Sequence, residues 1–230
     1  MNINIKNCEV NIITGTETLE IKGKPQSAAP AAEGVISTQH TYSVAGFMAN
    51  RDKVKIGDRV KLPSFTVPAV KMDGEDVLAF DEKHIKADEA IVIGKDENGN
   101  FILIFDHCLF ESAIDLNDEK RFEMTQLGQY LNSEFLRAMN GAGIPAESCG
   151  LINKDEMFGD NPLEYFKTGR NRIAFDFDED CSRYYWLSTL YDEEASAADF
   201  CYANASGNSA CSCASGASCC VRPRFVISAI

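Results

Sequence analysis

The sequence predicts an α+β fold, and three observations carry that expectation: a strand-rich first half, one helix with a continuous apolar stripe, and a second half of short apolar runs between turns. The strand signal is clearest at EAIVIGKDENGNFILIF, residues 89–105, where two β-rich runs flank DENGN. Its Asn98-Gly99 pair favours the positive φ angles of a tight hairpin. The helix signal is the recurrence of Phe122, Leu127, Tyr130, Leu131, Phe135, Leu136 and Met139 at three- and four-residue steps. Asp118 is placed to cap its start and Gly141 to end it.

Taken in chain order, residues 1–24 alternate apolar and polar side chains through Ile3, Ile5, Val10, Ile12, Leu19 and Ile21, which predicts two or three short strands. PQSAAPAAEG at 25–34 has the composition of a linker. The expected organisation is therefore an N-terminal segment, 1–50, of short strands and linker serving attachment or oligomerisation, and a domain spanning 51–230. VKIGDRVKLP, with Gly57-Asp58 as a turn, and DVLAF add strands before the hairpin. After the helix come LINKDEMFG, RIAFDF, RYYWLSTLY and VRPRFVI. Trp186, the single tryptophan, reads as a core anchor, and Arg222-Pro223 as the opening of the last apolar run.

A chain of 230 residues can bury one sizeable core. Its 22 Lys and Arg against 35 Asp and Glu give a net charge of −13, which argues against nucleic acid as a partner, because phosphate recognition needs a clustered basic surface. No apolar run approaches the roughly 18–20 residues of a membrane span, so no membrane insertion is expected. The start MNINIKNCEV lacks a basic-then-apolar leader, which predicts synthesis in the cytoplasm without a signal peptide.

Of the nine cysteines, Cys8, Cys108 and Cys149 lie far apart in ordinary segments and are expected to be reduced and buried. The other six fall between 181 and 220. Cys211-x-Cys213 and Cys219-Cys220 have soft-metal chemistry, yet the spacing is not that of two zinc knuckles, and no lysine between 184 and 221 offsets thiolate charge. Asp176, Asp178, Glu179 and Asp180 read as the solvated face of an alternating strand rather than a calcium loop. His40, His84 and His107 have no partner at a recognisable motif spacing, and no nucleophile elbow, zinc-protease or phosphate-loop motif is present. No catalytic residue, metal or cofactor is assigned, and a non-enzyme is expected.

What remains is CYANASGNSACSCASGASCC, residues 201–220: five cysteines, five serines, five alanines and no charge. Widened to 195–220, the segment uses only Ala, Ser, Cys, Gly and Asn plus Asp199, Phe200 and Tyr202. Every one of these can be encoded by a codon ending in a pyrimidine. Glu, Gln, Lys, Met and Trp cannot, and at average usage their joint absence over such a length has a chance on the order of one in several hundred. An AAC codon with randomised adenines yields this alphabet.

YYWLSTLYDEEASAADF…CCVRPRFVI resembles the C-terminal region of C-type-lectin-like domains in variable proteins targeted by diversity-generating retroelements. In that family a W-L-S-type strand precedes a diversified segment closed by a V-R-P-x-F strand; here these are Trp186-Leu187-Ser188 and Val221-Arg222-Pro223-Arg224-Phe225. FEMTQLGQYLNSEFLRAM and LINKDEMFG look like related lectin-fold domains of gut bacteria and their phages. The resemblance spans about 53–230 as fold and is specific over 184–227.

It implies a C-type-lectin-like, ligand-binding domain with a variable region of about 195–220, in a host-recognition protein of a phage or prophage tail, virion-associated and homo-oligomeric, with a trimer as the assembly the resemblance suggests. The partner implied is a host cell-surface protein or glycan. The ligand-contacting positions would be Asp199, Cys201, Tyr202, Asn204, Ser206, Asn208, Ser209, Cys211, Ser212, Cys213, Ser215, Ser218, Cys219 and Cys220, held in an irregular segment between core strands. Small adaptable residues suit such a surface, although Phe200 and Tyr202 are its only large anchors, so affinity is expected to come from several copies. Two alternatives stay open: a formylglycine-generating-type enzyme using Cys211, Cys213, Cys219 and Cys220, and a thiol-rich metal or redox module.

Overall fold

The computed structural model describes residues 11–14, 17–20, 39–71, 76–177, 181–195, 197–216 and 219–229. The expectations for Cys8, the linker at 25–34, Asp178, Glu179, Asp180 and Ser218 lie outside the described residues. The chain divides into two units, Met1–Thr38 and Gln39–Ile230. In the first, β1 (Asn11–Thr14) and β2 (Glu17–Glu20) form an antiparallel pair with Ile12 opposite Leu19.

The boundary expected at residue 50 falls earlier, because β3 (Thr41–Ser43) and α1 (Val44–Ala49) belong to the second unit. Ser43 caps α1 by accepting a hydrogen bond from the Gly46 N–H at 3.1 Å. The helix buries Phe47 edge-on against Phe101, with ring centroids 5.2 Å apart. An apolar helix face of this kind has to be covered, and the core that covers it lies downstream.

β4 (Arg59–Leu62), β5 (Phe65–Val67), β6 (Lys83–Ile85), β7 (Asp88–Lys95) and β8 (Phe101–Phe105) follow. β7 and β8 are the expected hairpin. Its turn is held by Asp96, whose side chain accepts from the N–H groups of Asn98 and Asn100 at 2.9 and 2.8 Å. Only Gly99 takes a positive φ, +82°, so the turn is longer than the two-residue type the Asn-Gly pair suggested. Then come the short β9 (His107–Cys108) and β10 (Phe110–Glu111).

The apolar stripe does form a helix, but its start is displaced. Asp118 has φ +55° and lies outside it; Thr125 is the cap, accepting from the Gly128 N–H at 3.0 Å. The helix runs through α2 (Gln126–Tyr130), a π turn (Leu131–Phe135) and α3 (Leu136–Gly141). Gly143, at φ +85°, rather than Gly141, supplies the left-handed residue after its end. Leu127, Tyr130, Leu131, Phe135 and Met139 are fully buried, as their spacing predicts.

The remaining elements are β11 (Ala146–Gly150), α4 (Lys154–Phe158), β12 (Ala174–Asp176), β13 (Ser182–Arg183), β14 (Tyr185–Leu190), β15 (Asp199–Ala203), β16 (Ser209–Cys213), β17 (Cys220–Val221) and β18 (Arg224–Ile227). Strands outnumber helices, so the α+β fold is mainly β. A six-stranded sheet has the order β11-β18-β8-β7-β4-β3, and a five-stranded sheet β10-β17-β14-β15-β16. β13, β12 and β9 form a small third sheet.

β7 and β8 in the larger sheet and Tyr185, Trp186 and Leu187 of β14 in the other are buried on both faces, which explains their near-continuous apolar runs. Val92, Leu103, Phe225, Trp186, Phe200 and Val221 point into one core. Ile91, Ile93, Ile104, Tyr185, Leu187 and Cys201 point into the other. Trp186 is fully buried, as expected of a core anchor, and its Nε1 donates to the Ser112 carbonyl at 2.8 Å. Cys108 and Cys149 are buried free thiols. One alternation fails: in RIAFDF it is Ala174 that is buried and Phe175 that is exposed, while Asp176 faces Arg183 at 3.6 Å. Strand β12 sits in a small sheet whose covered side takes the smaller residue.

Candidate functional site

The segment at 195–220 is not irregular. Most of it is a β-hairpin, β15 paired antiparallel with β16 from Asp199↔Cys213 to Ala203↔Ser209. A strand needs backbone hydrogen bonds and an allowed face for each side chain, and small residues satisfy both demands without large volume. The turn is built by Asn204. Its backbone N–H donates to the Asn208 carbonyl at 2.8 Å, and its side-chain oxygen accepts from the N–H groups of Ser206 and Asn208 at 2.9 and 3.0 Å. Gly207 completes the turn at φ +75°, with Gly169, Ile173 and Arg172 closely packed around the place a Cβ would occupy.

The structure divides the expected contact positions. Ser206, Asn208, Ser209, Cys213 and Ser215 are exposed; Asp199, Tyr202, Asn204, Cys211 and Ser212 are half-buried. Cys201, Cys219 and Cys220 are buried, against the expectation of a displayed surface. The reason is topological: β15 and β17 are inner strands of the five-stranded sheet, covered on both sides, whereas β16 is its edge. Asn204 spends its side-chain oxygen on the turn.

Tyr184, Tyr202 and Ser212 meet on one face of this sheet. With Glu111, Ser182, Arg183 and Cys219 they line a cavity of about 410 Å³. Tyr184 is half-exposed at the mouth and stands perpendicular to Tyr202, ring centroids 5.7 Å apart; Trp186 backs Tyr202 in the same edge-on manner at 6.2 Å. Arg183 is ion-paired with Glu111 and donates through Nε to the Cys220 sulfur at 3.4 Å.

Burial pushes the Tyr202 hydroxyl up, assisted by Cys219 and Tyr184, and pushes the Cys219 thiol up to about 12. Both are therefore neutral hydrogen-bonding groups near neutral pH. The Cys220 thiol is instead held below the usual thiol range, chiefly by the hydrogen bond from Cys108 and then by Arg183, and Cys108 is raised by the same pairing. The cavity thus offers two aromatic rings, hydroxyls, a neutral thiol and an ion pair to a ligand.

Sequence reasoning missed Glu111, Ser182, Arg183 and Tyr184. The signal for Tyr184 was present, since alternation with the buried Tyr185 and Trp186 puts it on the Trp186 side at the strand's open end; Glu111 arrives from a distant strand and left no local mark. His107 also has a partner that spacing hid: its Nδ1 lies 2.7 Å from the Asp88 carboxylate, beside a stacked Phe177. Burial raises the Asp88 carboxyl, partly offset by His107.

The four thiols of the enzyme and metal alternatives are not brought together. Cys211 and Cys213 lie on the edge strand, and Cys219 and Cys220 enter opposite cores. Among the described residues no group of three or more His, Cys, Asp or Glu is arranged to hold a metal ion. No helix among them is long and apolar enough to cross a membrane. Comparison with protein-family models, with curated proteins and with solved structures finds no significant match to this chain.

Proposed function

We propose that this chain is a non-enzymatic binding protein of C-type-lectin-like fold, whose retroelement-diversified hairpin recognises a host cell-surface protein or glycan in the manner of a phage tail receptor-binding protein. The observation that carries this reading is the split within the hairpin. Replaceable small residues occupy the edge strand and the exposed turn positions Ser206 and Asn208, and the strands that fix their position are anchored by Trp186, Phe200 and Val221 in the core. Diversity at such positions leaves the folding energy untouched, which is the physical condition for a variable binding surface.

The cavity beside the hairpin gives the surface a concave element, with Tyr184 and Tyr202 as aromatic anchors of the kind that dominate interface energetics. Its modest size suits weak contacts multiplied by several copies in one particle.

Two measurements test the reading. The DNA flanking the gene is expected to carry a near-copy of the segment encoding residues 195–220 that differs at adenines, beside a reverse transcriptase gene; flanking DNA without that repeat overturns the diversification. Separately, Ser212→Trp fills the cavity, and Tyr184→Ala strips its mouth. Each is expected to lower binding to intact host bacteria at least tenfold with an unchanged melting temperature. Undiminished binding by both variants overturns the assignment of the cavity.

A further inference from the structure

Cys201 and Cys211 sit directly opposite each other across β15 and β16. The hydrogen bonds at the two ends of the ladder, Ala214 N–H to Ala198 carbonyl and Asn204 N–H to Asn208 carbonyl, both at 2.8 Å, set its phase. Pairs at even-numbered β15 positions exchange backbone hydrogen bonds, so the pair at 201 and 211 does not. In such a pair the Cα atoms lie about 4.5 Å apart and the side chains project to the same face at their closest. That separation is inside the range of about 4.4–6.8 Å that a disulfide spans. The two thiols also interact electrostatically, Cys211 contributing to the upward shift that burial imposes on Cys201.

The other cysteines are less well placed for either partner. Cys213 faces Asp199, which makes it the diagonal neighbour of Cys201, about 7–8 Å away, and its sulfur lies 3.1 Å from the Ser215 hydroxyl. Cys220 is engaged by Arg183 and Cys108, and Cys219 enters the opposite core from Cys201.

We propose that Cys201 and Cys211 are a disulfide site: oxidation joins the buried strand to the edge strand at the middle of the hairpin and fixes the shape of the surface that β16 presents. With glutathione disulfide as oxidant, the half-exposed Cys211 thiolate attacks one of its sulfurs, forming a protein mixed disulfide and releasing one glutathione thiolate. The Cys201 thiol then loses its proton and attacks the Cys211 sulfur, the new S–S bond forming as the second glutathione leaves. Two protein thiols are oxidised, and one glutathione disulfide is reduced to two glutathiones. Entry through Cys211 is dictated by exposure, since Cys201 is 1 % exposed. An edge strand bonded to a single neighbour is the element that gains most from such a clasp. The proposal rests on the hairpin alone and stands whatever ligand the surface takes.

The test uses the full chain, reduced, freed of reductant and incubated folded with glutathione disulfide. Remaining thiols are alkylated, and the protein is digested without reduction. Trypsin leaves both cysteines in one peptide, because residues 184–221 hold no Lys or Arg; chymotrypsin separates them by cutting after Tyr202. The expected result is a Cys201–Cys211 cross-link in most molecules and a rise of several degrees in melting temperature that a reductant reverses. Cys211→Ser should abolish both, and Cys213→Ser should leave both intact. Free, alkylated Cys201 after oxidation, or Cys201 linked to Cys213, Cys219 or Cys220, overturns the proposal. The map of the parent protein gives this answer even if a variant fails to fold.

Discussion

β15, DFCYA, and β16, SACSC, are paired residue for residue and live in different environments. Along β15, Phe200, Cys201 and Ala203 are buried, with Phe200 and Cys201 on opposite faces in separate cores. Along β16 every residue retains some exposure. The backbone ladder is shared, so the difference is one of position: an inner strand has neighbours on both sides and layers above and below, and an edge strand has one neighbour. Stability and freedom to vary are therefore separated within a single hairpin, at a distance of one strand spacing, about 4.8 Å.

Substitutions that remove volume from β15 should break this contrast most severely. Phe200→Ala empties a fully buried site packed edge-on against Phe122 and is expected to cost about 3–5 kcal/mol in denaturant unfolding. A loss under about 1 kcal/mol would show that the inner strand is not anchored as described. Gly207→Ala comes next. It forces a side chain into a left-handed backbone and within 3.1 Å of the Gly169 carbonyl, for an expected loss of about 2 kcal/mol in the same measurement.

Asn204→Ala removes two side-chain hydrogen bonds from an exposed turn and should cost about 1 kcal/mol, with faster amide exchange at Ser206 and Asn208. Smallest of all are Ser209→Ala and Ser212→Ala on the edge strand, expected to stay within about 0.5 kcal/mol of the parent. If these two matched Gly207→Ala in cost, β16 would be part of the stabilising frame and the contrast would vanish.

How much of this was legible depended on whether a residue's type fixes its surroundings. Trp186 and the stripe from Leu127 to Met139 are large and apolar, and their burial followed from chemistry. The Asn98-Gly99 pair announced the turn, of which Gly99 takes the positive φ, while the part of Asp96 in holding it was not read. The helix start was misplaced because Asp118 and Thr125 are both good caps, and the first turn is fixed by the Gln126 and Leu127 N–H groups donating to the Asp115 carboxylate and the Ile114 carbonyl, contacts that helix periodicity does not show. The division of the hairpin was illegible for a stronger reason. Cys, Ala and Ser are small enough to be buried or exposed at little cost, so a period-two pattern written in them has no polarity to read. Which strand lies inside is decided by β14, which pairs with β15 and which the tract does not encode. The pairing of Cys108 with Cys220 and the arrival of Glu111 at the cavity are likewise products of topology.

β14 and β17 lie side by side in parallel, Tyr185 against Cys220, and the chain between them runs out along β15 and back along β16 within the same sheet. That excursion is a hairpin held together by its own ladder, so a change of two residues, one on each strand, keeps every side chain on its face; differences in length, and not only in residue identity, are thereby open to selection wherever the new tip clears Gly169 and Ile173.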